Sequence, residues 1–468
     1  MRTGIQLSTI CLFIVISIFP LPACVFGAAD PPASLATAEA QLISLINSAR
    51  KNPLDTAKSM GLSLKKLYTS QPHLQEPLAE GLQPLIYNGN LYMTADEQTA
   101  AAVADNFRQA SLAPLDERLK DYGYIAASGS ETVSSIAFTN YLSPSVAAEK
   151  LFRRIFQQEI NAKKREKLRI LNPDFTDMGL SLHSGRMTSG RRMYNGYLLT
   201  VDYAENLYSL EDLEFLQLVN QARQYPQKVA DTLAIKLEED ASEEMAPVVM
   251  DELLFTAVRD HAPDLLQNDE SGDAEDVAER ILDEYGFDAD PDAPEPSEIY
   301  AVLNDDDPAE TDDVGLLLFL SVLEADLAAD KENRILLNPA FREAGIYYET
   351  ILVKEDDAEK DIESSLTKHI LAANLATHVD RQPHLLGTVY SDVNRNGLYD
   401  IREGLQNINV TISGTDTNLD IFTNQAGGFT LPLSPGIYEI TTQLPGSKET
   451  SMVEVEIADD NVGIYFSN

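Results

Sequence analysis

The 468-residue chain has no tryptophan, two cysteines and six histidines. Both cysteines, Cys11 and Cys24, lie close to the N-terminus. The remainder can therefore form no internal disulfide, no thiolate metal site and no cysteine nucleophile. Basic residues are also scarce: Lys plus Arg number 35 against 75 Asp plus Glu, a formal net charge of -40. A chain so acidic repels polyanions, which excludes nucleic acid as a partner. Past the first residues there is no long apolar run of the kind a multispan membrane protein needs. No Gly-x-Ser-x-Gly elbow, P-loop or His-Glu-x-x-His stretch occurs, so the commonest nucleophile, nucleotide and zinc-hydrolase schemes lack their residues.

What is present is globular. Apolar residues make up 44% and charged residues 24%, and the length suits about three domains. The charge is unevenly placed: residues 30–208 hold 19 basic and 19 acidic residues, whereas from Ser209 onward there are 15 and 56. The acid concentrates in runs such as Glu238 to Glu244, Asp269 to Glu279, Asp288 to Glu298 and Asp305 to Asp313. Such runs read as solvated surface suited to salt or divalent cations, or as contact for a cationic partner.

Arg2, the apolar stretch Ile10 to Phe19 and small residues through Ala29 predict a secretory signal over residues 1–29, too short for a spanning helix with flanks. Leu21-Pro22-Ala23-Cys24 resembles the lipobox of bacterial lipoproteins, which would make Cys24 a lipid anchor to a membrane. Ordinary cleavage near Ala28 or Ala29 is the alternative. The expected location is extracellular or at the cell surface, with a periplasmic or outer-membrane lipoprotein as variants.

The chain repeats itself. Leu45-Ile46-Asn47-Ser48-Ala49-Arg50-Lys51-Asn52-Pro53 recurs as Leu218-Val219-Asn220-Gln221-Ala222-Arg223-Gln224-Tyr225-Pro226. Asp121-Tyr122-Gly123-Tyr124 returns as Glu284-Tyr285-Gly286-Phe287, and Ser130-Glu131-Thr132-Val133 as Ser297-Glu298-Ile299-Tyr300. Ile170-Leu171-Asn172-Pro173-Asp174-Phe175 matches Leu336-Leu337-Asn338-Pro339-Ala340-Phe341. Apolar spacing before each Ala-Arg predicts an amphipathic helix ended by proline. A β-like run follows each Asn-Pro-x-Phe, at Tyr197 to Val201 and Ile370 to Leu375, so the predicted class is α+β.

These ordered motifs resemble the CAP superfamily of cysteine-rich secretory, antigen 5 and pathogenesis-related proteins, in particular its disulfide-free bacterial branch. The resemblance covers about Ala36 to Ala204 and Leu213 to Ala376. It implies two tandem α-β-α sandwich domains, 36–208 and an acidic, degenerate 209–376. It also implies a central cleft with two histidines and two acids able to hold a divalent metal. Carried over residue by residue, the first histidine position is Gln98 in one copy and His261 in the other, and the motif glutamate is Glu131 and Glu298. The second histidine position falls on Glu166 and Glu332. Neither copy keeps both histidines, and one imidazole among carboxylates is too few ligands for zinc or copper and too little for hydrolysis. His261 is then a residual ligand or an ordinary helix histidine, and Glu131 and Glu298 are cleft acids or backbone acceptors. His73, His183, His378 and His384 form no constellation, the last two falling within a linker over residues 377–384.

From Leu385 the pattern becomes short alternating runs separated by Gly and Pro turns, which predicts a small all-β sandwich over residues 385–468. It begins with Asp392-Val393-Asn394-Arg395-Asn396-Gly397-Leu398-Tyr399-Asp400-Ile401-Arg402-Glu403, which fits a twelve-residue calcium loop throughout. Asp392, Asn394 and Asn396 would give side-chain oxygens, Leu398 its carbonyl, Asp400 a direct or water-mediated ligand and Glu403 a bidentate closure. The competing reading is a metal-free Asx-Gly turn. No helices flank the loop, so a structural calcium is expected rather than a sensor. The domain resembles the B-type repeats of serine-aspartate-repeat surface adhesins, calcium-binding immunoglobulin-like stalk modules. Some relatives carry a Lys-Asn isopeptide bond, but the domain's only lysine, Lys448, stands late in the domain, and no such crosslink is expected.

The expected function is an exported, non-catalytic binding or scaffold protein for a cell-surface or extracellular ligand. The alternatives are a metal-dependent hydrolase or peptidase built on His261 and Glu298, and a lipid or sterol carrier.

Overall fold

A computed structural model describes residues 33–468 except 109, 163, 165–166, 190, 238–240, 269–273, 306–313, 358–361 and 416. The signal segment, Cys24, Glu166 and parts of the acidic runs lie outside the described residues. Among the described residues no helix is long and apolar enough to cross a membrane. The class is mixed, with helices and sheets interspersed, compatible with α+β.

The chain first forms α1 (Ala33–Lys51), α2 (Pro53–Ser59), α3 (Lys65–Ser70), α4 (Gln75–Glu80), β1 (Ile86–Tyr87), α5 (Gly89–Ala104), α6 (Leu115–Asp121), β2 (Ala126–Phe138), α7 (Pro144–Ile160), β3 (Asp177–Ser189) and β4 (Arg192–Asn206). Then come α8 (Leu210–Gln224), α9 (Pro226–Leu233), β5 (Val249–Met250), α10 (Glu252–Asn268), α11 (Ala274–Glu279), β6 (Ser297–Asp305), α12 (Val314–Ala328), β7 (Glu343–Asp357) and β8 (Ile362–Ala376). The two sheets have the same order, β1-β3-β4-β2 and β5-β7-β8-β6. The short strand of each pairs parallel and the long ones antiparallel. The sequence repeat is therefore a repeat of topology.

Alternation along β3 shows how each sheet is covered. Met178, Leu180 and Leu182 face a core built with Leu42 and Ile46 of α1 and Leu151, Phe152 and Ile155 of α7. Ser181 and His183 face α5, where Asp96 receives both. At Gly179 a Cβ would strike the backbone of Leu91 and Tyr92, and at Gly345 that of Leu254 and Phe255. Each glycine thus lets a helix lie directly on its sheet.

The repeated motifs turn out to be clamps. In the first copy the Asn47 side chain accepts from Leu85 N–H and donates to its carbonyl; in the second Asn220 does the same with Val248. Arg50, 1% exposed, donates to the carbonyls of Gln83, Ile170, Asn172 and Phe175. Arg223, 0% exposed, donates to those of Ala246, Leu336, Asn338 and Phe341. The loop so gripped is held from its other side by a buried carboxylate. Glu159 accepts from the N–H groups of Arg169, Ile170 and Leu171, and Asp326 from those of Ile335, Leu336 and Leu337. Burial lowers the Arg50 pKa to about 10 and the Arg223 pKa to about 9, and raises that of Glu159 to about 7. As expected, each opening helix stops short of its motif proline, at Lys51 and Gln224; Pro53 and Pro226 then open the following helices at their first turn, where a missing N–H costs nothing.

The last part comprises β9 (His384–Tyr390), β10 (Asn409–Ser413), β11 (Asn418–Phe422), β12 (Gly428–Pro432), β13 (Gly436–Thr442), β14 (Ser451–Ile457) and β15 (Val462–Ser467). Sheets β11-β10-β13-β14 and β12-β9-β15 enclose a core that includes Leu385, Val410, Phe429, Ile440 and Phe466. Residues 377–383 lead into it pinned rather than free. Thr377 donates to Ala340 O and accepts from Arg342 N–H, and the His378 ring sits 3.9 Å from that of Phe287.

The three parts are tied together by carboxamides that read backbone. Asn90 donates to Phe422 O at 3.0 Å and accepts from Phe422 N–H at 2.8 Å. Asn407 does the same for Tyr87 O and Gly89 N–H, and Gln221 for Tyr399 O and N–H. Leu398 and Tyr399, although they belong to the predicted calcium loop, are buried in the core of the second repeat with Phe215 and Leu218 of α8.

Candidate functional site

Of the positions implied by the CAP resemblance, the structure brings His261 and Glu298 together; Glu166 lies outside the described residues. On β6, Glu298 lies opposite Asn374 of β8, just as Glu131 on β2 lies opposite Asp202 of β4. His261, on α10, brings Nδ1 to 3.0 and 3.1 Å from the two Glu298 carboxylate oxygens. The Arg280 guanidinium donates to Oε2 at 2.6 Å. The Asn374 carboxamide, with its nitrogen toward Glu298, donates to Oε2 at 3.1 Å and accepts from Val258 N–H at 3.2 Å. The Glu298 side chain is 0% exposed, with His261 on Oε1 and His261, Arg280 and Asn374 on Oε2.

In the first repeat Arg118 takes the place of Arg280, donating to Glu131 Oε2 at 2.6 Å and to Thr94 O at 2.8 Å. Gln98 is buried where His261 stands, and its Nε2 has no partner among the described residues. Asp202 is fully buried and accepts from the Thr94 hydroxyl at 2.7 Å. Burial, reinforced by the Glu131 charge, pushes its pKa up to about 8. Glu332 stands on an exposed turn, Lys331–Asn333. Among the described residues no three His, Cys, Asp or Glu side chains group as a metal site.

Sequence reading missed the two arginines and a second histidine–carboxylate pair. His183 Nε2 lies 2.8 Å from Asp96 Oδ1, which also accepts from Ser181 Oγ at 2.7 Å. The Asp96 hydrogen bond raises the His183 pKa. Burial alone would raise the Asp96 pKa, but the hydrogen bonds from His183 and Ser181 prevail and hold it low. The serine bonds the aspartate and not the imidazole, so this is not a nucleophile arrangement. Strand alternation places Ser181 and His183 on one face, but the Asp96 contact needs α5 laid on that face, which spacing alone does not show.

The twelve-residue loop closes on itself. Asp392 Oδ2 accepts from Gly397 N–H at 2.9 Å, and Gly397 has a φ of 72°. The side-chain nitrogens of Asn394 and Asn396 both reach Asp400 Oδ2 at 2.8 Å. Glu403, 8% exposed, accepts from the N–H groups of Val393 and Asp400 at 2.8 and 3.2 Å. Burial raises its pKa, and the Asp400 and Asp392 charges add to that. Asp392 Oδ1 is buried without a partner among the described residues. The Asn394 and Asn396 side-chain oxygens accept from the N–H groups of Asn396 and Leu398 at 3.0 and 2.7 Å, as in an Asx turn; the orphaned Asp392 oxygen is the feature that fits a hard divalent cation. Asp392, Asn394, Asn396, the Leu398 carbonyl, Asp400 and Glu403 would hold it.

No protein-family model matches the chain, and no curated protein matches it. Among solved structures, a DUF3823 family protein from Bacteroides ovatus is 12% identical with a TM-score of 0.14, covering 18% of this chain and 44% of that one. The Bacillus anthracis TIE protein is 13% identical with a TM-score of 0.16, covering 54% of each chain. The chain thus spans about half the length of these structures or less, and at such scores neither bears on fold or function.

Proposed function

We propose that this is an exported binding or scaffold protein without catalytic activity. In this reading, two degenerate CAP-like α-β-α sandwiches stand against an immunoglobulin-like, adhesin-type β-sandwich stabilised by calcium. One observation carries the non-catalytic part: in both repeats the cleft glutamate is occupied by an arginine at 2.6 Å, Arg118 on Glu131 and Arg280 on Glu298. The arginine occupies the Oε2 side of each carboxylate, so a metal or a substrate approaching there would have to displace a charge-assisted hydrogen bond.

The calcium part is supported by the matched loop and by Asp392 Oδ1. The ion would neutralise the loop carboxylates and lock its turn. Leu398 and Tyr399 pack into the second repeat, so the ion would also stiffen the junction. Export rests on residues 1–29, with Cys24 as the lipid anchor in the lipoprotein variant, and places the protein outside the cell or on its surface.

Metal analysis of the purified mature protein tests the proposal, with Glu403→Gln as control. About one calcium per chain, lost in the variant, with no transition metal and no hydrolase activity, is the expected result. Zinc or copper retained by Glu403→Gln would favour a hydrolase built on the His261–Glu298 pair.

A further inference from the structure

A cavity of about 580 Å³ lies beside Glu131 and Arg169 in the first repeat, and a second, built from all three parts, lies at their junction. The second, of about 300 Å³, lies where α5, the start of α8, β5 and strand β12 meet, at the small end of the range for ligand pockets. Its wall mixes apolar residues, including Leu216 and Met250, with the polar side chains of Tyr208, Gln217, Asp251 and Asn424.

Tyr208 is the clearest of these groups. It is 6% exposed, its ring is held edge-on by Phe255 at 4.8 Å, and its hydroxyl has no partner among the described residues. Burying a hydroxyl unpaired costs roughly 1–3 kcal/mol, so an occupant that bonds it recovers that cost. Gln217, also in the wall, commits its oxygen to the Thr388 hydroxyl, and its amide nitrogen lies beside Gly428. Asn424 commits its oxygen to the N–H groups of Ala426 and Gly428. Asp251 commits one oxygen to the start of α10, at Leu253 and Leu254, and keeps the other. At the rim Lys120 of the first repeat meets Glu252 of the second at 3.0 Å, both half exposed.

We infer that this junction binds a neutral saccharide unit. The wall offers donors from amides, an acceptor from a carboxylate and a phenol that can act as either, interleaved with aliphatic surface. Vicinal hydroxyls alternating with C–H faces match that mixture. A phosphate or carboxylate ligand fits poorly, because Asp251 and Glu252 outweigh Lys120. A long peptide does not fit the volume. Since the wall comes from all three parts, the site exists only while they are docked, and it involves neither the repeat clefts nor the calcium loop.

Saturation-transfer NMR on the full mature chain, with glucose, galactose and N-acetylglucosamine as separate probes at up to about 10 mM, tests this in a range where weak sites are still seen. At least one sugar is expected to receive saturation. Tyr208→Phe should weaken its binding about fivefold, the worth of one hydrogen bond, without lowering the melting temperature of the unliganded protein. Met250→Trp, which fills the cavity, should abolish the signal. No transfer to any of the three sugars, equal transfer in both variants, or displacement by inorganic phosphate would overturn the assignment. The calcium measurement is unaffected by any of these results, so failure of one leaves the other standing.

Discussion

Arg223 allows a magnitude to be worked from geometry. Its guanidinium serves four carbonyls, those of Ala246, Leu336, Asn338 and Phe341, at 2.6–3.0 Å, with 0% exposure. Arg223→Met keeps the aliphatic stem and deletes every donor. Each buried carbonyl left unpaired costs about 1 kcal/mol at the low end, roughly 4 kcal/mol in all. Against this stands the desolvation of the cation, visible in its lowered pKa, which the variant no longer pays; taking that relief as about 1–2 kcal/mol leaves a net loss of about 2–3 kcal/mol. With a urea slope of about 2 kcal/mol/M, the midpoint should fall by about 1–1.5 M. Arg223→Lys should lose nearly as much, since one ammonium cannot span four acceptors. Urea denaturation of the full chain followed by circular dichroism reads the effect. A loss below about 0.5 kcal/mol for Arg223→Met would refute the view that the Ala-Arg-x-x-Pro motif is a structural clamp.

Asp202 is expected to make stability fall as pH rises. Its folded pKa, about 8, lies above the ordinary aspartate value of 3.8, so the folded state binds the extra proton between those values, and the stability present near pH 4 is lost toward pH 8. Asp202→Asn, which copies Asn374 of the second repeat, should flatten that slope and stabilise the protein at pH 8 by at least about 1 kcal/mol; thermal melts at pH 5 and 8 check it. Chelation should lower the melting temperature, and calcium at about a hundredfold above its dissociation constant should restore about 2.7 kcal/mol, an effect absent in Glu403→Gln when followed by calorimetry. Gln221→Ala removes both bonds to Tyr399 and should speed protease cleavage within residues 392–403; unchanged cleavage would argue that apolar packing alone holds the loop.

Much of this was legible in the sequence because repeats leave their clamps as words. The strings around Arg50 and Arg223 and the two Asn-Pro-x-Phe loops recur because one arginine must reach the carbonyls of that loop. The duplication and a mixed class of helices and sheets could thus be read directly. What could not be read was the pairing across the sheet: Arg118 and Arg280 reach Glu131 and Glu298 from helical turns 13 and 18 residues earlier, a distance no periodicity reports. The role of residues 377–383 was likewise hidden, since Thr377 and His378 find their partners far back in the chain at Ala340 and Phe287.

The carboxamide contacts at the junction impose an asymmetry on how the protein can change. Asn90, Asn407 and Gln221 recognise peptide groups, and a peptide group is the same whatever side chain it carries. The residues they grip are therefore free to drift, as far as those bonds are concerned, while the gripping residues are not. Even the isosteric exchange of Asn90 for aspartate would trade a donor for a charge facing a carbonyl. Variation among descendants of this chain should accordingly accumulate on the receiving side of each joint, leaving three amides as the fixed points of the assembly.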